Sequence, residues 1–294
     1  MIPSSEPFAM TSEIDALYAT LRSSLARHSK LAVAFSGGVD STLLLAVAHD
    51  VLGESVVAFT ASSCTFPQRE LDEATAFCQE HGIKQVVFPS EELEVEGFSQ
   101  NPPNRCYLCK QALFSAMTAL ANSQGITDIA DGTNLDDLHD YRPGRQAKDE
   151  QGVQSPLADA GFDKQAIRTL SKELGLKTFD KQSFACLASR IPYGDLIDKE
   201  VLHKIDLAEQ YLLDGGFNQV RVRVHGDMAR IEMPPAQFPL LFKEGAYEST
   251  AERLKQIGFR FVTLDLEGYR TGSMNDTLDD PQGAPRERSE SNGS

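Results

Sequence analysis

Residues 31–35, Leu-Ala-Val-Ala-Phe, form an unbroken apolar run, and Ser36-Gly37-Gly38-Val39-Asp40-Ser41 follows at once. A run without polar alternation suits a strand covered on both faces, as in parallel sheets. From Ser41 to Leu52 the pattern reads as a helix closed by Gly53. Two adjacent glycines let the backbone approach an anion closely and turn successive N–H groups toward it. The helix start adds partial positive charge, and Ser36, Ser41 and Thr42 add hydroxyl groups. A Gly-Gly pair alone could be no more than a tight turn. Between a buried strand and a helix, phosphate binding is the better reading. No Gly-Lys-Ser/Thr follows, so the loop is not of the Walker type.

The alternation continues. Residues 55–61 form a second apolar run, 67–81 a helix opened by Pro67 and ended by Gly82, and 85–88 a third strand. A helix fits 107–124, and 126–130 lead into Asp131-Gly132-Thr133, which places Asp131 at the ligand edge of a parallel sheet. The expected fold class is therefore α/β, an open parallel sheet with helices on both faces. Residues 139–156, rich in Gly, Pro and charge, read as a loop over a site, and 163–175 as another helix. On that helix Lys164 and Arg168 share a face and could reach phosphates or merely solvent. A helix at 198–213, strands at 218–224 and 228–233, a helix at 246–257 and a strand at 259–265 predict a small α+β unit. The expected organisation is a nucleotide domain over 1–194, the α+β domain over 195–272, and a disordered tail over 273–294.

Composition narrows the class. The net charge of −15 disfavours a large nucleic-acid interface. No apolar run approaches the roughly 20 residues that cross a bilayer, and the first thirty residues lack a basic stretch followed by an apolar core. Five cysteines, an odd number at low density, argue for reduced thiols and a cytoplasmic protein.

Cys186 lies in Ser-Phe-Ala-Cys-Leu-Ala-Ser-Arg-Ile-Pro-Tyr-Gly, where Arg190 offers a fixed cation that would raise the thiolate fraction. A free cysteine is most often a small buried hydrophobe, but this polar setting favours function. Cys106 and Cys109 form a Cys-x-x-Cys at a helix start, with both sulfurs on one face. Three thiolates could then meet at one metal or cluster, and their softness favours iron–sulfur or zinc over magnesium. A redox dithiol competes, without a thioredoxin-like context to support it. Cys64 and Cys78, in or beside apolar elements, read as structural, and the six histidines show no ligand spacing.

The hexapeptide at 36–41 resembles the signature of PP-loop ATP pyrophosphatases. That resemblance implies that residues 36–42 grip the leaving pyrophosphate and that Asp40 serves Mg²⁺. In order along the chain stand Asp131-Gly132-Thr133-Asn134, Asp140-Tyr141-Arg142-Pro143-Gly144, Cys186-Leu187-Ala188-Ser189-Arg190-Ile191-Pro192-Tyr193-Gly194, Val220-Arg221-Val222-Arg223 and Gly272-Ser273-Met274-Asn275. Together, over roughly residues 12–278, the chain resembles the LarE family, ATP-dependent sulfur transferases that build the nickel-pincer cofactor of lactate racemase. The resemblance implies that ATP adenylates a carboxylate of pyridinium-3,5-biscarboxylic acid mononucleotide and that sulfur displaces AMP to leave a thiocarboxylate. Cys186 matches the sulfur-donor position. Some members sacrifice that cysteine, leaving dehydroalanine. Others carry three cysteines and hold a [4Fe–4S] cluster, the pattern matched by Cys106, Cys109 and Cys186. The favoured donor is then an extra sulfide on the cluster, with the sacrificial route open. By the same resemblance Arg221 and Arg223 hold the substrate phosphate, Ser189 and Arg190 belong to the site, and Glu209 and Glu232 bind a divalent metal. A homo-oligomer is implied as well.

Other readings differ in what they explain. A PP-loop tRNA thiolase combines such a loop with cysteines, but the acidic balance and the lack of a basic appendage oppose it. An amidotransferase of the GMP- or NAD-synthetase type leaves the cysteines without a task. A nucleotide sensor without turnover sits poorly with an intact loop.

Overall fold

A computed structural model of the chain describes residues 12–139, 143–182 and 185–270. Asp140-Tyr141-Arg142, Ser183-Phe184, Gly272-Ser273-Met274-Asn275 and the expected disordered tail lie outside the described residues.

The chain runs α1 (Ser12–Leu25), β1 (Leu31–Ala34), α2 (Val39–Leu52), β2 (Val56–Ser62), α3 (Gln68–His81), β3 (Lys84–Pro89), α4 (Arg105–Ser123) and β4 (Ile129–Ala130). Short helices α5 (Leu135–His139), α6 (Pro143–Glu150) and α7 (Pro156–Asp159) lead to α8 (Lys164–Glu173). The four strands are parallel in the order β3-β2-β1-β4, with Val33 paired to Ala58 on one side and Ala130 on the other. β1 thus lies inside the sheet, which explains its lack of polar residues. Leu31 and Val33 pack on one face with Leu43 and Val47 of α2, Leu21 of α1 and Leu170 of α8. Ala32, Val57 and Phe59 point to the other face and meet Phe114, Met117 and Ala121 of α4. The α/β class with helices on both faces is as expected.

The stretch read as a loop over 139–156 contains a helix instead, α6. Its composition is polar because only a narrow face is covered: Ala147 and Lys148 are buried, while Gln146 donates to Glu150 one turn on (2.8 Å). Tyr107 of α4 anchors its end by donating to Glu150 Oε2 (2.9 Å).

Past α8 come α9 (Lys199–Asp214), β5 (Arg221–His225), β6 (Met228–Glu232), α10 (Phe238–Leu241), α11 (Ala246–Ile257) and β7 (Phe261–Leu264). β5 pairs antiparallel with β6, and β6 parallel with β7. Among the described residues the chain divides into two compact units, one holding residues 12–188 and 197–206, the other 189–196 and 207–270. Residues 189–196 thus belong to the second unit and 197–206 to the first. Arg223 donates to the Ser189 carbonyl (2.7 Å), which draws 189–196 into the second unit. Ile197 N–H donates to the Ser99 carbonyl (2.8 Å), which keeps the following residues with the first. No helix among the described residues is long and apolar enough to cross a membrane.

Candidate functional site

The phosphate cradle forms where β1 runs into α2. Gly38 caps that helix without any side-chain hydrogen bond to its free amides, which leaves them available to an anion. Gly37 adopts φ +70°, and a Cβ there would lie 3.2 Å from Ala74 Cβ of α3. The Ser36 and Ser41 hydroxyls lie 3.2 Å apart. Gly132 allows the end of β4 to come against this turn, since its Cβ would stand 2.8 Å from the backbone nitrogen of Ser41. Ser36, Gly38, Asp40, Glu70, Lys164 and Gln182 line a cavity of about 150 Å³ at the loop.

Ion pairs surround the cradle. Lys164 Nζ meets Asp40 Oδ2 at 2.5 Å. Burial pushes the Asp40 carboxyl up, against the pull of Lys164. Arg168, one turn along, turns elsewhere: it donates to the carbonyls of Phe179 (2.7 Å) and Lys181 (2.9 Å). Its effect is to hold Lys181, whose ammonium donates to the Gly37 carbonyl (3.1 Å) and pairs with Glu70 (2.8 Å) and Glu73 (2.6 Å). Burial raises the Glu70 carboxyl too, opposed by Lys181. Asp131, buried at the end of β4, accepts from Thr133 Oγ1 (2.6 Å) and from Ser155 Oγ (2.8 Å), which in turn accepts from buried Lys148 (2.6 Å).

The cysteines gather near the same strand ends. Leu187 N–H donates to the Thr65 carbonyl (2.8 Å), tying the Cys186 segment to the loop after β2. Cys106 and Cys186 are exposed and Cys109 half-buried at the start of α4. Desolvation raises the Cys186 thiol, Cys106 adds repulsion, and the Ala188 amide, the Thr65 hydroxyl and the Arg105 charge oppose it. Desolvation also drives Cys109 upward, with both other thiols contributing. Arg190, expected to help the thiol, places its fully buried guanidinium on Glu209, and Arg105 is a cation that pulls the Cys186 thiol down. Arg105 is itself oriented by Asn101 Oδ1 (2.7 Å).

Within the second unit, Arg190 sends Nε and Nη2 to the two oxygens of Glu209, both at 2.8 Å, and Nη1 to Ser189 Oγ (2.9 Å). Arg223 pairs with Glu232 (3.0 Å), which also takes Arg230 (3.0 Å), and Arg221 stacks over Tyr269 at 5.3 Å. Arg221 and Arg223 lie on one face of β5, which is buried and not the solvated face usual for such a pair. Burial and the nearby Arg190 pull Arg221 down, with Glu209 opposing. Glu209 and Glu232, expected as metal ligands, are each engaged by guanidinium groups in this structure.

The sequence profile of asparagine synthase matches residues 14–99, the segment that carries the cradle. The pyridinium-3,5-bisthiocarboxylic acid mononucleotide synthase of Lactiplantibacillus plantarum is 39% identical over 88% of this chain and 94% of its own length. The chain belongs to the LarE family. An uncharacterized protein of Synechocystis is 43% identical over 88% of this chain and 96% of its own length, and one of Methanocaldococcus jannaschii 30% identical over 83% and 92%.

Within this LarE-family chain, sequence reasoning missed Lys181 and Glu70 at the cradle and Lys148 and Ser155 behind Asp131. Glu70 carried a signal, standing in the first turn of the helix after β2; the other three are legible only once the loops are folded. Among the described residues no three His, Cys, Asp or Glu side chains converge to share one metal ion. A cubane makes a different demand, holding its thiolates apart on separate irons. Three mutually repelling thiols beside Arg105 fit that soft donor set. At the cradle, the bare oxygen of Asp40 (Oδ1, no hydrogen-bond partner) fits a hard cation. A larger cavity, about 430 Å³, opens between the C-terminal ends of α2, α3 and α8 and contains none of the expected site residues.

Proposed function

We propose that this protein is an ATP-using sulfur transferase acting on a carboxylate of pyridinium-3,5-biscarboxylic acid mononucleotide in nickel-pincer cofactor synthesis. The observation that carries the reading is the juxtaposition, within one unit, of an uncapped Ser-Gly-Gly-Val-Asp-Ser cradle and the three thiols at the same sheet edge. The likeness to the L. plantarum synthase supports the choice of acceptor.

In the first step a substrate carboxylate oxygen attacks the α-phosphorus of ATP and the bond to the β-phosphate breaks. The amides of residues 37–41 and Lys164 take the charge that grows on the leaving pyrophosphate. Asp40 holds Mg²⁺, and Asp131, fixed by Ser155 and Lys148, faces the nucleotide from the end of β4. Arg221 and Arg223, with Ser189 and Arg190 behind them, hold the substrate phosphate through paired N–H groups. Glu209 and Glu232 keep those guanidinium groups in place. In the second step sulfur attacks the acyl carbon and the bond to AMP breaks, leaving the thiocarboxylate. A [4Fe–4S] cluster held by Cys106, Cys109 and Cys186 supplies, when bound, an exchangeable sulfide. Arg105 lowers the cost of charge at residue 186.

The test is AMP and pyrophosphate release that depends on this acceptor and not on tRNA, after anaerobic purification with iron and sulfide analysis. Cys186→Ser should abolish thiolation; an undiminished rate refutes the reading. Loss of the mass of hydrogen sulfide from Cys186 during turnover assigns the sulfur to the cysteine itself and removes the cluster-borne donor.

A further inference from the structure

The cradle holds a second buried carboxylate that the mechanism above does not use. Glu70, in the first turn of α3, is 2% exposed and lines the same cavity as Asp40. Its Oε2 pairs with Lys181 at 2.8 Å, while Oε1 has no hydrogen-bond partner and meets Arg69 Nε only at 3.8 Å. Asp40 repeats the arrangement, with Oδ2 on Lys164 at 2.5 Å and Oδ1 unpartnered. Two carboxylates at one cavity thus each place one oxygen on a lysine and leave the other without a close hydrogen bond. A buried charged oxygen without a donor costs free energy, and carboxylate oxygens beside a phosphate cradle suit a hard divalent cation. Lys181 does not need Glu70 for charge balance, because Glu73 already pairs with it at 2.6 Å.

We propose that Glu70 is a second carboxylate ligand, beside Asp40, for the divalent cation that accompanies ATP. Mg²⁺ keeps waters and takes one or two carboxylates plus phosphate oxygens, so two protein ligands suffice. The assignment deepens the nucleotide-binding half of the proposed function and rests on it.

The experiment is a Mn²⁺ titration of the full-length protein, followed by electron paramagnetic resonance, with a non-hydrolysable α,β-methylene ATP present. Nucleotide binding in EDTA is measured in parallel, and thermal melting confirms folding. Glu70→Gln should weaken Mn²⁺ binding in the ternary complex by about tenfold or more. Its metal-free nucleotide binding should be unchanged or tighter, since a negative charge has gone. Glu73→Gln, which strips the exposed partner from Lys181, should leave Mn²⁺ binding as in the parent. Unaltered Mn²⁺ affinity in Glu70→Gln overturns the assignment, and so does an equal loss in Glu73→Gln, which would trace the effect to Lys181. If Glu70→Gln does not fold, Glu70→Asp, with its shorter reach, replaces it under the same criteria. A parent protein that takes up no nucleotide in either buffer refutes the ATP reading itself, a result distinct from all the others.

Discussion

Truncating Glu209 should be among the most damaging single changes in the second unit. Both Glu209 and Arg190 have side chains at 0% exposure, and their fork closes with two 2.8 Å contacts. The Val222 amide adds a third donor to Glu209 at 2.9 Å. Glu209→Ala removes every one of these acceptors and strands a guanidinium where water cannot reach it. Breaking a buried pair from one side costs about 3–5 kcal/mol, mostly the penalty of the charge left behind. At about 2–4 °C per kcal/mol for a chain of this size, melting should fall by about 6–20 °C. Urea denaturation of Glu209→Ala beside the double variant Arg190→Leu/Glu209→Leu separates the causes. The double variant removes both charges and should recover a large part of the loss. The pH response has a definite sign. Burial pushes the Glu209 carboxyl up, but Arg190 and Arg221 outweigh it and hold the group below its usual range. The folded state then binds fewer protons than the unfolded one, so this stability is present above the unfolded value of about 4.3 and is lost as pH falls through the folded value. Glu209→Ala should flatten that acid limb. A loss below about 1 kcal/mol, the scale of an exposed pair, or a double variant no better than the single one, would refute the reasoning.

Three further outcomes are expected. Gly132→Ala places a methyl group 2.8 Å from the Ser41 nitrogen, so the cradle must shift; ATP-analogue binding should drop by about 1–3 kcal/mol, read by calorimetry. Cys78, 1% exposed and pushed by desolvation up to about 12, should resist iodoacetamide at pH 8 in the folded protein while exposed Cys106 reacts, as peptide mapping will show. After anaerobic reconstitution, Cys109→Ala should lose bound iron and labile sulfide whereas Cys78→Ala retains both, measured by elemental and sulfide analysis.

Where the sequence was legible, the reason was local. The apolar run of β1, the Gly-Gly turn and the glycines ending α2 and α3 each report a backbone requirement, so the sheet and its cradle could be placed from residues alone. α1 carries a helical stripe, Ile14, Leu17, Tyr18, Leu21 and Leu25, that a reading begun at β1 misses, whereas α6 gives little signal because a charged sequence docks by one narrow face. The partners of the charged residues were not legible at all. Arg190 stands four residues from Cys186 yet spends its fork on Glu209, nineteen residues on, while Arg105, some eighty residues earlier, supplies the charge at the thiol. Lys164 and Arg168 share a helix face and still divide, one to Asp40 and one to the carbonyls that fix Lys181. Spacing tells which residues can point the same way. The folded loops decide what they meet.

At the phosphate cradle the chain carries its own counter-ions. In the proposed reading Lys164 and Lys181 are the cations for a triphosphate, and Asp40 and Glu70 the anions for a divalent cation; Lys164 pairs with Asp40 and Lys181 with Glu70. Nucleotide arriving alone must compete with Asp40 for Lys164. A cation arriving alone must compete with both lysines for the carboxylates. Arriving together, they exchange partners without leaving any buried charge bare, so each must tighten the other's binding by the same factor. On the proposed reading, the pairing makes the cradle favour metal and nucleotide together over either alone.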